Sequence, residues 1–121
     1  MIRLLDGPGA ANTIRLRRAP IYLRITFDGE MWDGLDQLDD TPRANEKVFA
    51  YIKVADHGNV HVCGQDPKTR KRWGGWYHHA EYRVIAPQPD DATMRDNERW
   101  REWTHAEHAR AKQEAAPAGL P

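Results

Sequence analysis

The run Arg72-Trp73-Gly74-Gly75-Trp76-Tyr77-His78-His79-Ala80-Glu81-Tyr82-Arg83-Val84-Ile85 constrains the fold more than any other stretch. Two glycines lead out of a basic turn into a long series of aromatic and β-branched residues, which is how a central strand of a small β domain reads. Period-2 alternation puts Trp76, Ala80, Tyr82 and Val84 on a buried face and Tyr77, His79, Glu81 and Arg83 on a wet one.

Other segments repeat the pattern. Ile2 to Leu5 is a short strand closed by the turn Asp6-Gly7-Pro8-Gly9. Thr13 to Arg17 alternates Ile14 and Leu16 against Arg15 and Arg17, and Ile21 to Phe27 points Ile21, Leu23, Ile25 and Phe27 one way before Asp28-Gly29. Residues 28 to 46 read as an acidic connection too polar for a core element. Lys47 to Val54 is a strand with apolar residues on both faces, Asp56-His57-Gly58-Asn59 a turn, and Asn59 to Cys63 its returning arm. Five or six strands joined by tight turns predict an antiparallel barrel or sandwich over residues 1–89.

The period changes after Pro87-Gln88-Pro89. Asp90, Asp91, Thr93 and Asp96 open a stretch free of Gly and Pro up to Pro117, as an acidic first turn against the helix dipole requires. Met94, Trp100 and Trp103 mark the face that docks on the sheet. One C-terminal helix is expected within 90–115, its last turns projecting, followed by a flexible tail over 116–121. The fold class is α+β.

A chain of 121 residues supports one core. Basic and acidic residues are 18 each, which removes the simplest argument for an anionic partner. The balance is not local. Residues 1 to 27 carry +4 (Arg3, Arg15, Arg17, Arg18 and Arg24 against Asp6), and residues 28 to 46 carry −6 (Asp28, Glu30, Asp33, Asp36, Asp39, Asp40 and Glu46 against Arg43). Cys63 is the only cysteine, so a reducing, cytoplasmic setting is expected. No apolar run approaches a signal segment or a membrane span.

Three constellations bear on chemistry. Lys68, Arg70, Lys71 and Arg72 run into Trp73, Trp76 and Tyr77, the combination that phosphate neutralisation with base stacking needs. The bland alternative is a solvated hairpin loop with Trp76 in the core. Asp36, Asp39 and Asp40 crowd the acidic connection, a docking surface for a basic partner or a solvated loop; their spacing does not match a calcium loop. His57, His61 and Cys63, with His78 and His79 behind, are the ligand types zinc prefers, but without paired Cys or His arms. Lone Cys is more often packing. No phosphate loop or nucleophile–His–Asp arrangement stands out, and no cofactor is expected.

Short fragments also resemble a group of small proteins encoded by actinobacterial bacteriophages. They are Leu4-Leu5-Asp6-Gly7-Pro8, Leu35-Asp36-Gln37-Leu38-Asp39-Asp40-Thr41-Pro42, Val60-His61-Val62, Gly74-Gly75-Trp76-Tyr77 with Ala80-Glu81-Tyr82-Arg83, and Arg95-Asp96-Asn97 leading to Trp100. The resemblance implies a phage setting and brings no activity, cofactor or catalytic residue with it. The basic insertion Lys68 to Arg72 looks particular to this chain. The leading expectation is therefore a non-enzymatic accessory protein that binds a host or phage macromolecule, a protein first. Nucleic-acid binding through residues 68–77 is the alternative, and a zinc-dependent hydrolase the third reading.

Overall fold

The computed structural model describes all residues except 17, 36–39 and 116–121. Six strands, β1 (Ile2–Leu4), β2 (Thr13–Ile14), β3 (Tyr22–Phe27), β4 (Trp32–Leu35), β5 (Lys47–Gln65) and β6 (Arg72–Val84), precede helices α1 (Asp91–Arg95) and α2 (Asn97–Ala115). They form one sheet of order β2-β1-β6-β5-β3-β4. All pairings are antiparallel except β1 with β6, which is parallel, so the sheet is mixed. The sheet curls until its ends approach: Leu16, just past β2, lies against Gly34 of β4, where a Cβ would come within 2.8 Å of Leu16 Cδ1. The result is a nearly closed barrel with a C-terminal helical region, a small α+β fold.

Both faces of β3 and of β5 from Val48 to Ile52 are covered, as the apolar doubling in Lys47 to Val54 implied. The barrel interior holds Ile2, Leu4, Ile14, Leu23, Ile25, Tyr51, Ala80 and Tyr82. The outer face of β5 offers Val48 and Ala50 to Met94 and Trp100, with Tyr22, Ile85 and Trp103 completing this second cluster. Trp100 and Trp103 stack with centroids 5.2 Å apart, so the predicted docking face of the helix is the one used. Asp90 caps α1 by accepting from Thr93 N. The expected single helix is broken at Asp96, whose backbone is extended and whose carboxylate accepts from Arg99 N at 3.0 Å. Beyond Thr104, α2 is almost wholly exposed through Gln113. The predicted tail lies outside the described residues.

Three expectations need correction. Residues 28–46 do contribute an element, because Asp28-Gly29 turns the chain straight into β4, whose Trp32 stacks on Phe27 at 4.4 Å. Asp56 to Asn59 is not a turn but an irregularity inside β5, with register shifts between Lys53/Ala55 and Asp56/Asn59. The real turn of the hairpin is Asp66 to Lys71. Arg24, on the face of β3 opposite Leu23 and Ile25, is 3% exposed, because that side lies under the helices. Ile21, expected inward, stands just before β3 and is exposed.

Candidate functional interface

β5 and β6 are far longer than their neighbours, and this builds the site. β3 accompanies β5 only along Lys47–Ile52, and β1 accompanies β6 only along Ala80–Tyr82. From Asn59 to Gln65 and from Arg72 to His78 the two strands pair only with each other among the described residues. Seven residues at about 3.3 Å each give a two-stranded ribbon that runs on for about 20 Å.

The ribbon explains where the aromatic residues stand. The even positions of β6 continue the core face from Tyr82 and Ala80, but the core ends at Ala80. Trp76 therefore keeps its face and loses its cover; it is 70% exposed, touching His61 across the ribbon at 5.1 Å. Its expected burial is thus overturned by strand length rather than by register. Trp73 is 50% exposed on the opposite face. Its indole lies over Gly64, closer than a Cβ there would tolerate, so the glycine makes room for the ring against the backbone. Tyr77, on the same face as Trp73, is half-buried under the Arg15 guanidinium, 5.3 Å from the ring centroid.

The tip is basic and well built. Asp66 Oδ1 accepts from Lys68 N at 2.8 Å, and Gln65 Nε2 donates to Arg70 O at 2.8 Å. The backbone donors of Lys68 and then Thr69 hold the Asp66 carboxyl below its usual range. Lys68, Arg70, Lys71 and Arg72 are all exposed around this turn. Arg70 has φ +56°, a left-handed backbone that costs a residue with a Cβ about 1–2 kcal/mol.

The acidic connection is described only in part, since Asp36 and Asp39 fall outside the described residues. Asp40 stands with Asp28, Asp33 and Glu46 around a polar recess of about 360 Å³. Its backbone oxygen accepts from Arg24 Nη2 at 3.2 Å. A second, mostly apolar recess between Pro20, Ile21 and Tyr22 and the Trp100–His108 side of α2 contains none of the candidate binding or metal-ligating residues singled out from the sequence.

The histidines are divided between the faces of the hairpin. His61 and Cys63 stand on either side of Gly74, and Cys63 is exposed rather than packed. His57 points to the other face, where its ring stacks on His79 at 5.1 Å and its Nε2 lies 2.7 Å from Glu81 Oε1. The expected grouping of His57 with His61 and Cys63 therefore does not form. His78 Nε2 lies 2.6 Å from Asp56 Oδ1, which also accepts from Gly58 N at 2.9 Å, while Lys53 Nζ donates to Asp56 Oδ2 at 2.9 Å. Lys53 first, then the Gly58 amide, hold the Asp56 carboxyl far below the usual carboxylate range; His57 does the same, more weakly, for Glu81.

Sequence reasoning missed Glu81 as a partner of histidines. The spacing His79-x-Glu81 on one strand face was the available signal. No protein-family model matches the chain, and neither the curated proteins nor the solved structures include a match. No described helix is long and apolar enough to cross a membrane.

Proposed function

We propose that this is a binding protein that holds single-stranded nucleic acid along the β5–β6 ribbon. The observation that carries the reading is the ribbon itself. Its tip presents four exposed cations, and Trp73 and Trp76 lie open on its two faces. Cations along a groove or arm neutralise phosphates, and flat exposed rings give bases a sequence-tolerant surface to stack on, worth about 1–3 kcal/mol per base. The left-handed Arg70 fits this use, because strained backbone concentrates where a side chain has a task. Among the earlier expectations this raises the nucleic-acid alternative above a protein partner for the acidic connection. The phage resemblance supplies a setting in which such a protein would act.

The test is fluorescence anisotropy of a labelled single-stranded oligonucleotide titrated with the full chain across a salt series. A log–log slope of about −0.7 per phosphate contact is expected, hence roughly −3 if all four cations engage. Trp76→Ala should weaken binding at every salt concentration. A flat salt response, or no binding at low salt, overturns the proposal.

One observation favours a second reading. An isolated two-stranded ribbon is marginal in water, and the free edges of this one invite an added strand from a protein partner. Binding to a protein that survives nuclease treatment and is abolished by proline at a ribbon edge, without salt-dependent oligonucleotide binding, would favour it.

A further inference from the structure

At the base of the ribbon, on the face that carries Trp73, we infer a binding site for a divalent transition-metal ion formed by His57, His79 and Glu81. One ligand atom from each of these three residues, a ring nitrogen of each histidine and a carboxylate oxygen of Glu81, can be chosen so that all lie within 4.8 Å of one another. Two features of the chain bring them together. His79 and Glu81 are two apart on β6 and so share a face. His57 belongs to the irregular segment of β5 between the Asp56–Ala80 and Asn59–His78 pairs, where Gly58 adopts φ +66° and two residues lack a direct partner. His57 carries on the register of the Ala55–Glu81 and Asp56–Ala80 pairs and so falls opposite His79, on the face of His79 and Glu81; the bulge is completed by Gly58.

To receive an ion the three ligand atoms, within 4.8 Å of one another, adjust toward a common spacing. Ligands about 2.0–2.1 Å from a tetrahedral centre stand about 3.3 Å apart, so the 2.7 Å His57–Glu81 contact opens by roughly half an ångström as the carboxylate turns. His57 is exposed and the other two half-exposed, which leaves outward positions for water or a further ligand. Two imidazoles and one carboxylate select borderline ions such as zinc, nickel or cobalt over magnesium and calcium, which take oxygen ligands. Arg3 of β1, the register partner of Glu81, acts on its charge and opposes the site. Asp56 and His78 pair with each other and leave the three ligands undisturbed. The bound ion would cross-link the bulge of β5 to β6 and fix the angle at which the ribbon leaves the barrel.

The experiment is calorimetric titration of the metal-free full chain with zinc chloride at neutral pH, with magnesium chloride as the contrast. One equivalent of zinc and no magnesium are expected to bind. His79→Ala and Glu81→Gln should each weaken zinc binding by about tenfold or more, Arg3→Ala should tighten it, and His61→Ala should leave it unchanged. Because His57→Ala could disturb the bulge, His57 is read instead from zinc-induced shifts of its ring resonances in the unaltered chain. Absence of saturable zinc binding, equal affinity in the His79 and Glu81 variants, or loss in His61→Ala overturns the site. None of these outcomes depends on oligonucleotide binding.

Discussion

Trp73 lies over Gly64, its six-membered ring occupying the space where any other residue would carry a Cβ. The hairpin register places these two residues directly opposite one another, so the exposed indole is seated by its partner strand. Gly64→Ala should tilt the ring off the ribbon. The expected result is a changed tryptophan emission and weaker oligonucleotide binding, with the thermal midpoint of the barrel moved by only a few degrees, because the core ends well short of Gly64. A large loss of global stability with unchanged binding would show that the ribbon contributes to the core instead.

Arg24 joins three parts of the chain. Its Nη1 donates to Met94 O at 3.0 Å, and its Nη2 to Asn97 Oδ1 at 3.0 Å and to Asp40 O; the guanidinium lies 5.5 Å from the Trp100 ring centroid. Arg24→Met should lower stability by about 2–3 kcal/mol in urea denaturation, since charge-assisted bonds to two helices and the acidic connection go together. Arg24→Lys should recover less than half, because an ammonium cannot fork between those acceptors. Full recovery by lysine would mean that charge alone matters there.

Tyr51 pins the first turn from inside the barrel. Its hydroxyl donates to Asp6 O at 3.0 Å and accepts from Gly9 N at 3.0 Å. Tyr51→Phe strands the Gly9 amide in a buried position and should cost about 1–3 kcal/mol. Faster hydrogen exchange should be confined at first to residues 5–12; an unchanged denaturation midpoint would indicate that water replaces the hydroxyl.

The carboxylates at the base of the ribbon set its acid behaviour. Asp56 and Glu81 both have folded pKa values depressed by their partners. A depressed carboxylate stabilises the fold fully above its unfolded pKa, and that contribution disappears as pH falls below about 4 toward the folded value. The Gly58 amide, held by Asp56, should therefore lose exchange protection in acid before the barrel unfolds. Asp56→Asn should flatten the pH dependence in that window and leave stability near neutrality less sensitive to acidification. An identical acid profile in wild type and variant would remove Asp56 from the account.

The parts of this fold that could be read in the sequence are those governed by local pattern. Leu23 and Ile25 alternate and point inward; Trp100 and Trp103 recur at helical spacing and dock. The parts that escaped depend on how far one strand outruns another. Nothing local to Trp76 distinguishes a strand inside a barrel from the same strand continued beyond it. Gly34 and Asp33 lowered the apolar content of β4, although Gly34 is there because Leu16 needs its space. The anchoring role of Arg24 was invisible because its three acceptors are 16, 70 and 73 residues away. His57 looked like a turn residue because Gly58 follows it, and a bulge uses the same residue types as a turn.

β5 is one continuous strand with two employments. One end is clamped between β3 and the helices at Val48 and Ala50, and the other carries the basic turn. A load on the tip therefore travels along covalent backbone into the clamped end, and the irregular segments at 53–55 and 56–59 are its compliant joints. The ribbon is a lever with its fulcrum at His57, and whatever stiffens that point decides how much of a pull at the tip reaches the seat of the helices.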